Sequence, residues 1–504
     1  MQLLLETPTK LRLPAAWTAD AALQQCLAAD LTYTDGGTAH EHRVWAKALS
    51  GVERGRPHWY ATKYGVDALR AKVVELAGAK DQCLLFHDSE GLWTYSGLAP
   101  RLAKTYGLPV VRGFQPAART PITKRAGHPP RWYQREATAA LLAAGHAGVS
   151  LPTGAGKSLV IADLLAAVGR SGVVVTPTLS IATQLHADLT AAFGPQAVGQ
   201  FFDGKKQAHR RFVVAVAKSI TAVAPDSAHW QGLAAKEVLV ADEAHTFPAA
   251  TLAKTVFGLF ETVPHRYFLS GTMLRSDGLD LLLEAITGPI VLDLPLARLV
   301  AEGFLARPRF TQFAVWSQLA YSGDDPIRMN RTHHHQNDAI YAHAAGLVRG
   351  ALKRGRRPLV LMEEVSQFGR LLRGLPGVQV GFAHGGLAKD QKEEVPAAHH
   401  RSDPQALVAA FDAGTLPVLV GTQCIGVGTD IKTADFVVDL VGLASHTRLS
   451  QNVGRGTRTH NGKTAFDYVD YVVDNFPMLK RQGEKRRKIM ESIMGPVRQE
   501  RVAA

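Results

Sequence analysis

The chain has 504 residues, 46% hydrophobic and 20% charged, which is enough to build about three separately cored domains and too apolar for a disordered chain. Fifty-seven Lys and Arg against 44 Asp and Glu leave a net charge of +13, which favours an acidic partner such as nucleic acid. Three scattered cysteines, Cys26, Cys83 and Cys424, exclude a disulfide framework and a zinc knuckle, and no run approaches the ~18 apolar residues of a membrane span.

Residues 1–113 read as a small α+β N-terminal module. Within it Arg43, Lys47, Arg54, Arg56, His58, Trp59 and Tyr60 combine cations with aromatic rings, a composition that suits nucleic-acid contact and equally a core. Residues 114–130 hold four prolines among basic and small residues and no apolar period, so they read as a linker. Short apolar runs follow at 148–151, 173–175, 212–216, 238–241 and 267–269. They lack polar alternation, as strands do when a parallel sheet is covered on both faces. A second series stands at 359–362, 378–382, 418–420, 436–440 and 468–472. The fold class is therefore α/β: two tandem parallel-sheet domains, 131–296 and 331–478, joined by a connection at 297–330 and followed by a basic C-terminal helix or tail at 479–504.

The chemistry concentrates in three places. Leu151-Pro152-Thr153-Gly154-Ala155-Gly156-Lys157-Ser158 follows a strand-like run and precedes a helical one. A glycine turn there lets backbone N–H groups wrap a phosphate, Lys157 reaches the outer phosphates, and the Ser158 hydroxyl takes Mg²⁺. The hydrophobic run Val238-Leu239-Val240-Ala241 ends in Asp242-Glu243-Ala244-His245. Asp242 at the strand end can hold Mg²⁺ and Glu243 can take a proton from the attacking water. Finally, Gln451-Asn452-Val453-Gly454-Arg455-Gly456-Thr457-Arg458 places two arginines three apart, near one face of a helical turn, where both could reach one phosphate. ATP with Mg²⁺ is the expected ligand pair.

Taken in order, these segments resemble the superfamily 2 helicases and translocases, over about residues 131–474. The resemblance implies two RecA-like motor domains and an ATP hydrolase driven by nucleic acid. It gives Arg131 and Gln134 the role of adenine readers and groups Thr153, Gly154, Ala155, Gly156, Lys157 and Ser158 around the phosphates. It makes Thr178 and Lys218 backbone contacts of the first domain, and Ser270 and Thr272 the coupling segment, with Arg275, Asp277 and Gly278 beyond. In the second domain it makes His384 and Thr422 nucleic-acid contacts, Gly428 and Asp430 sensors of the γ-phosphate, and Gln451, Arg455 and Arg458 the last nucleotide motif. The chain departs from the family pattern at Leu151, Gly271 and Val427. Gln451, the Asp-Glu-Ala-His form and the Arg275–Gly278 tail lean towards double-stranded or branched DNA as track. They suit the branch of DNA repair and phage recombination helicases; RNA, or a non-unwinding clamp, are the alternatives.

Lys480, Arg481, Lys485, Arg486, Arg487 and Lys488 sit on a helix that could lie along a duplex or simply face solvent. His333, His334 and His335, adjacent and without a Cys or carboxylate at ligand spacing, do not read as a metal site, and His399 and His400 read as exposed loop residues. A monomer in the cytoplasm or another nucleic-acid-containing compartment, with no membrane contact, is expected.

Overall fold

Runs of Val, Leu and Ala with no polar alternation form strands buried on both faces, and the computed structural model places all ten of them in two sheets of seven parallel strands. It describes residues 1–55, 59–125, 127–247, 252, 255–271, 278–321, 325–425, 431–460 and 462–502. The first sheet contains β1 (His146–Ser150), β2 (Gly172–Thr176), β3 (Val198–Phe201), β4 (Phe212–Val216), β5 (Val238–Asp242), β6 (His265–Ser270) and β7 (Ile290–Asp293). Its order is β3-β4-β2-β5-β6-β1-β7. The second contains β8 (Arg307–Val315), β9 (Pro358–Leu361), β10 (Val380–Ala383), β11 (Val418–Gly421), β12 (Phe436–Asp439), β13 (Ala465–Val473) and β14 (Arg498–Arg501), in the order β10-β11-β9-β12-β13-β8-β14. The two orders are the same permutation, so one architecture is used twice: tandem RecA-like domains with helical crossovers between parallel strands.

The chain divides into two compact units, Met1–Ser150 with Ser158–Asp293, and Leu151–Lys157 with Leu294–Ala504. In the first unit the N-terminal module carries its own five-stranded sheet, yet its core is continuous with that of the motor domain. Ala285 is fully buried among Leu3, Leu11, Leu98 and Leu102. Tyr95 stacks flat on Phe257 at 3.8 Å, Arg101 grips Glu284, and Gly97 lies where a Cβ would collide with the Ala285 carbonyl. Arg266, buried on β6, donates to Ser96 Oγ at 3.0 Å, and desolvation pulls its pKa down to about 9. Of the N-terminal cation and aromatic set, Arg56 and His58 and the side chains of Trp59 and Tyr60 lie outside the described residues.

Residues 114–125 form no helix or strand, but they run along the motor domain and do not form a free linker. Thr120 N–H donates to the Val168 carbonyl, Ile122 N–H to Ala166 and Arg125 N–H to Ala192. Those acceptors belong to the last turns of helices Lys157–Val168 and Leu179–Phe193, whose carbonyls have no partner within the helix. Lys124 pairs with Asp163 in the first of these helices.

The second unit takes in segments that the apolar pattern assigned elsewhere. β8, from the expected connection, pairs with β13 along nine residues, and β14, from the expected basic tail, adds an edge strand. Pro308 and Gln312 interrupt the apolar reading of β8. Gln312 is buried because it has partners: its amide donates to Asp470 Oδ2 at 2.7 Å and to the Gly483 carbonyl at 3.0 Å. The basic helix Pro477–Met494 is amphipathic, burying Leu479, Gly483, Arg486 and Met490. Arg486 is therefore not a surface cation. It is 3% exposed and holds Asp470 through Nε at 3.0 Å, while burial pushes the Asp470 carboxyl above its ordinary range in spite of that partner. His333, His334 and His335 are buried in a single wide turn, and His399 and His400 are half-buried, His400 bonding the Val395 carbonyl at 2.7 Å. Among the described residues no helix is long and apolar enough to cross a membrane.

Candidate nucleotide and nucleic-acid site

The phosphate loop leaves β1 and enters helix Lys157–Val168, the strand–turn–helix context that its sequence requires. Gly154 and Gly156 take φ of 95° and 81°, values that side chains resist. Leu151, where the family carries glycine, is fully buried and has no positive φ, so the site loses nothing to its side chain. Lys157 is half-buried at the start of the helix, with Ser158 next to it. Helix Trp132–Ala144 begins at Arg131, whose backbone N–H donates to Gln134 Oε1 at 2.8 Å; the Arg131 guanidinium reaches Tyr133 Oη at 3.0 Å. The oxygen end of Gln134 is thus occupied in capping its own helix.

In the first unit Asp242 and Glu243 stand at the carboxyl end of β5 and are 6% and 9% exposed. Asp242 Oδ1 accepts the Glu243 N–H at 3.0 Å, and Glu243 sits in the left-handed region at φ 51°, ψ 44°. A non-glycine residue held there is strained, and the strain orients the carboxylate. Glu243 Oε2 accepts the Gly271 N–H at 3.4 Å, and His245 Nδ1 hydrogen-bonds Ser270 Oγ while lying 3.7 Å from Glu243 Oε2. The carboxylate expected to activate water and the expected coupling segment therefore form one hydrogen-bonded cluster. The sequence showed His245 as the last letter of the acidic motif but gave it no role; its contact with Ser270 spans 25 residues and becomes visible only when β5 and β6 pair. Thr272 lies outside the described residues, with Arg275 and Asp277.

In the second unit the arginine octet lies on helix His446–Gly454 and the turn after it. The helix ends one residue before Arg455, and Arg455, Gly456 and Thr457 donate to the carbonyls three residues back. This tightened turn, and not a regular helix face, sets the spacing of the two arginines. Arg455 is 4% exposed; Arg458 and Gln451 are half-buried. Asn452 is held by Asp439 Oδ2 at 2.8 Å, and Asp439 also accepts from Tyr468 Oη. Thr457 Oγ1 donates to the Thr153 carbonyl at 3.2 Å. A Cβ on Gly454 would collide with Thr153 Cβ, and one on Gly154 would fall 3.2 Å from Arg458 Nη1. Within this unit the Gly454 backbone thus packs on the Thr153 side chain and the Thr457 hydroxyl on the Thr153 carbonyl, with Arg458 beside the glycine turn. Thr457 was not singled out from sequence, since its role depends on that packing. Gly428 and Asp430 lie outside the described residues.

The expected nucleic-acid contacts follow the carboxyl ends of parallel strands, where open α/β sheets bind ligands. Thr178 caps helix Leu179–Phe193 beyond β2, its hydroxyl accepting the Ile181 N–H at 3.4 Å. Lys218 is exposed beyond β4. Thr422 is the first residue after β11 and is half-exposed. His384 differs. It follows β10 but is 3% exposed, with Nε2–H donating to the His399 carbonyl at 2.9 Å and Nδ1 accepting the Gly386 N–H at 3.1 Å. Its ring shapes the turn, and the solvent-facing groups there are the backbone of Gly385 and Gly386.

Comparison with known proteins agrees with this geometry. The family profile described as "Type III restriction enzyme, res subunit" matches residues 127–273, and that described as "Helicase conserved C-terminal domain" matches 342–460. The chain is 24% identical over 407 residues to "DNA 3'-5' helicase XPB" of Mycobacterium tuberculosis, covering 76% of this chain and 68% of that protein. It is 30% identical over 166 residues to "DNA 3'-5' translocase XPB2" of Sulfurisphaera tokodaii, covering 32% of this chain and only 35% of the relative. Among solved structures, the fragment of a putative HsdR subunit of a type I restriction enzyme from Vibrio vulnificus aligns with a TM-score of 0.54 at 18% identity, over 74% of this chain and 68% of that one, which is a likeness of fold. The paired sheets, the phosphate loop, the acidic strand end and the arginine octet come together with these matches: the chain belongs to the superfamily 2 helicases and translocases, nucleic-acid-dependent ATP hydrolases with two tandem RecA-like domains.

Proposed function

We propose that the chain is an ATP-driven DNA helicase or translocase whose track is double-stranded or branched DNA. The observation that carries the ATPase reading is the packing of the octet on the phosphate loop, with Thr457 bonded to the Thr153 carbonyl and Arg458 beside Gly154. Backbone N–H groups of the glycine turn and the start of helix Lys157–Val168 hold the phosphates, and Lys157 neutralises the outer ones. Glu243 accepts the proton of the attacking water. Arg455 and Arg458 meet the charge that develops on the γ-phosphoryl group, a contribution worth about 10³ to 10⁵ in rate. The donor set fits Mg²⁺: Ser158 and Asp242 offer a hydroxyl and a carboxylate, both oxygen ligands. Bound there, Mg²⁺ would offset negative charge on the phosphates. The Ser270–His245–Glu243 cluster is the element through which hydrolysis and strand movement are coupled.

The DNA assignment draws on the named activities of the mycobacterial and archaeal relatives, on the net charge of +13, and on Gln451 in the octet. Thr178, Lys218 and Thr422 contact the sugar–phosphate backbone without reading sequence. The N-terminal module, fixed to the first motor domain, selects the form of DNA. Action as a single copy, and residence wherever the cell keeps its DNA, belong to the same proposal. ATP turnover measured with duplex, branched and single-stranded DNA and with RNA tests it. Duplex or branched DNA is expected to stimulate turnover at least about tenfold, with a steep loss of stimulation at raised salt; stimulation by RNA alone would overturn the DNA assignment.

A further inference from the structure

Among the described residues of the second unit, Trp316 is the largest exposed apolar side chain, at 68% relative exposure, and Ile327 beside its segment is 66% exposed. A tryptophan left in water forfeits the burial that normally justifies it. The backbone carrying it, in contrast, is anchored by buried polar groups. Asn337 Nδ2 donates to the Trp316 carbonyl at 3.0 Å. Ser317 exchanges two hydrogen bonds with Asn475, its N–H reaching Oδ1 at 3.1 Å and its carbonyl accepting from Nδ2 at 2.8 Å. The Ser317 hydroxyl meets His333 Nδ1 at 2.9 Å, and His333 Nε2 bonds the Tyr321 carbonyl at 2.6 Å. Since a carbonyl only accepts, His333 donates from Nε2, and its Nδ1 is paired with the Ser317 hydroxyl. The ring is further clamped by Phe476, stacked at 3.7 Å. Ser317, His333 and Asn337 are all buried, so a satisfied polar network holds rigid a loop that presents an indole to solvent.

The position of that indole is set by topology. Trp316 is the first residue past the carboxyl end of β8, as Thr422 is past β11, and the strand pairings that connect them are all parallel, so both leave the same edge. β8 and β11 are separated by β9, β12 and β13, four strand steps or roughly 19 Å at ~4.8 Å each. That is the length of about five to six stacked bases at ~3.4 Å. An exposed cation stands in the same segment: Arg328, next to Ile327, with its guanidinium 4.7 Å over the Tyr321 ring.

We propose that Trp316 is a base-stacking post: its indole takes the face of an unpaired base on a single-stranded stretch whose backbone tracks the carboxyl edge of the second sheet. The inference rests on the nucleic-acid reading above and adds to it the element that meets bases in place of phosphates. Stacking is sequence-tolerant, because every base has a π-face, and it favours separated strands over duplex, whose bases are already stacked.

The test uses the full chain without nucleotide, titrated with oligo(dT), with oligo(rU) and with blunt duplex. Tryptophan emission in the wild type is expected to be quenched by both single strands, and Trp316→Phe is expected to bind within about twofold of wild type but to lose that share of the quenching. Trp316→Ala is expected to weaken both single-strand affinities about tenfold and to leave duplex affinity within about twofold. Unchanged single-strand binding in Trp316→Ala, or an equal loss for duplex and single strands, would overturn the post. A wild type that binds neither duplex nor single strands would overturn the nucleic-acid reading itself, and the duplex arm separates that failure from the first.

Discussion

Arg458→Ala is expected to bind ATP within about threefold of the wild type and to hydrolyse it roughly 10³ to 10⁵ times more slowly. The asymmetry follows from where the charge appears. In the proposed site the glycine turn and Lys157 hold the ground-state triphosphate, whereas the transition state spreads charge over the transferred phosphoryl oxygens and gains most from a fixed guanidinium. Arg458 is fixed. Thr457 is tied to the Thr153 carbonyl at 3.2 Å, Gly454 leaves room for the Thr153 side chain, and Nη1 lies 3.2 Å from where a Gly154 Cβ would be. Arg458→Lys is expected to restore little, because a flexible ammonium does not reproduce the planar fork. Single-turnover hydrolysis set against equilibrium binding of a fluorescent ATP analogue checks both halves. Equal losses in binding and hydrolysis would make Arg458 a ground-state ligand.

Glu243→Gln is expected to slow hydrolysis by about 10² to 10⁴ and to let the ATP-bound, nucleic-acid-bound protein accumulate. The exchange preserves shape. A glutamine oxygen can still accept the Gly271 N–H, and the backbone turn at φ 51° is imposed by the strand end and the Asp242 carboxylate, not by the Glu243 charge. What is lost is the proposed base. His245 stands 3.7 Å from the carboxylate but is committed to Ser270, so it does not substitute. Filter retention of labelled DNA in the presence of ATP, alongside steady-state turnover, gives the result. Turnover near that of the wild type would mean that the proton leaves by another route.

What the sequence made legible was whatever is local or periodic. Ten buried strands were readable because parallel strands covered on both faces need uninterrupted Val, Leu and Ala, and the phosphate loop and the acidic strand end were readable because their chemistry needs contiguous residues. Strand β8 was hidden by Pro308 and by Gln312, whose burial depends on Asp470 and Gly483, partners 158 and 171 residues away. The edge strand β14, Arg-Gln-Glu-Arg, has no apolar signature because it pairs on one side only. Residues 114–130 look like a linker by composition, and nothing in them announces that their N–H groups complete two helix ends. The basic run misled at one position: Arg486 has the same charge as Lys485, yet helical phase turns it inward onto Asp470. The octet illustrates both limits. Its arginines were visible as a motif, while the glycines and Thr457 acquired their reasons only from the approach of Gly454 to Thr153 and of Gly456 to Phe466, where a Cβ would run into the ring.

The central claim is that this phosphate loop drives a nucleic-acid-dependent motor, and steady-state ATP turnover of the wild type and of Lys157→Ala, each with and without duplex DNA, addresses it most directly. The wild type is expected to turn over ATP at about 1 to 10³ s⁻¹ when DNA is present, and Lys157→Ala to lose at least about a hundredfold with and without DNA while remaining folded. Turnover in Lys157→Ala equal to that of the wild type would contradict the account at its root.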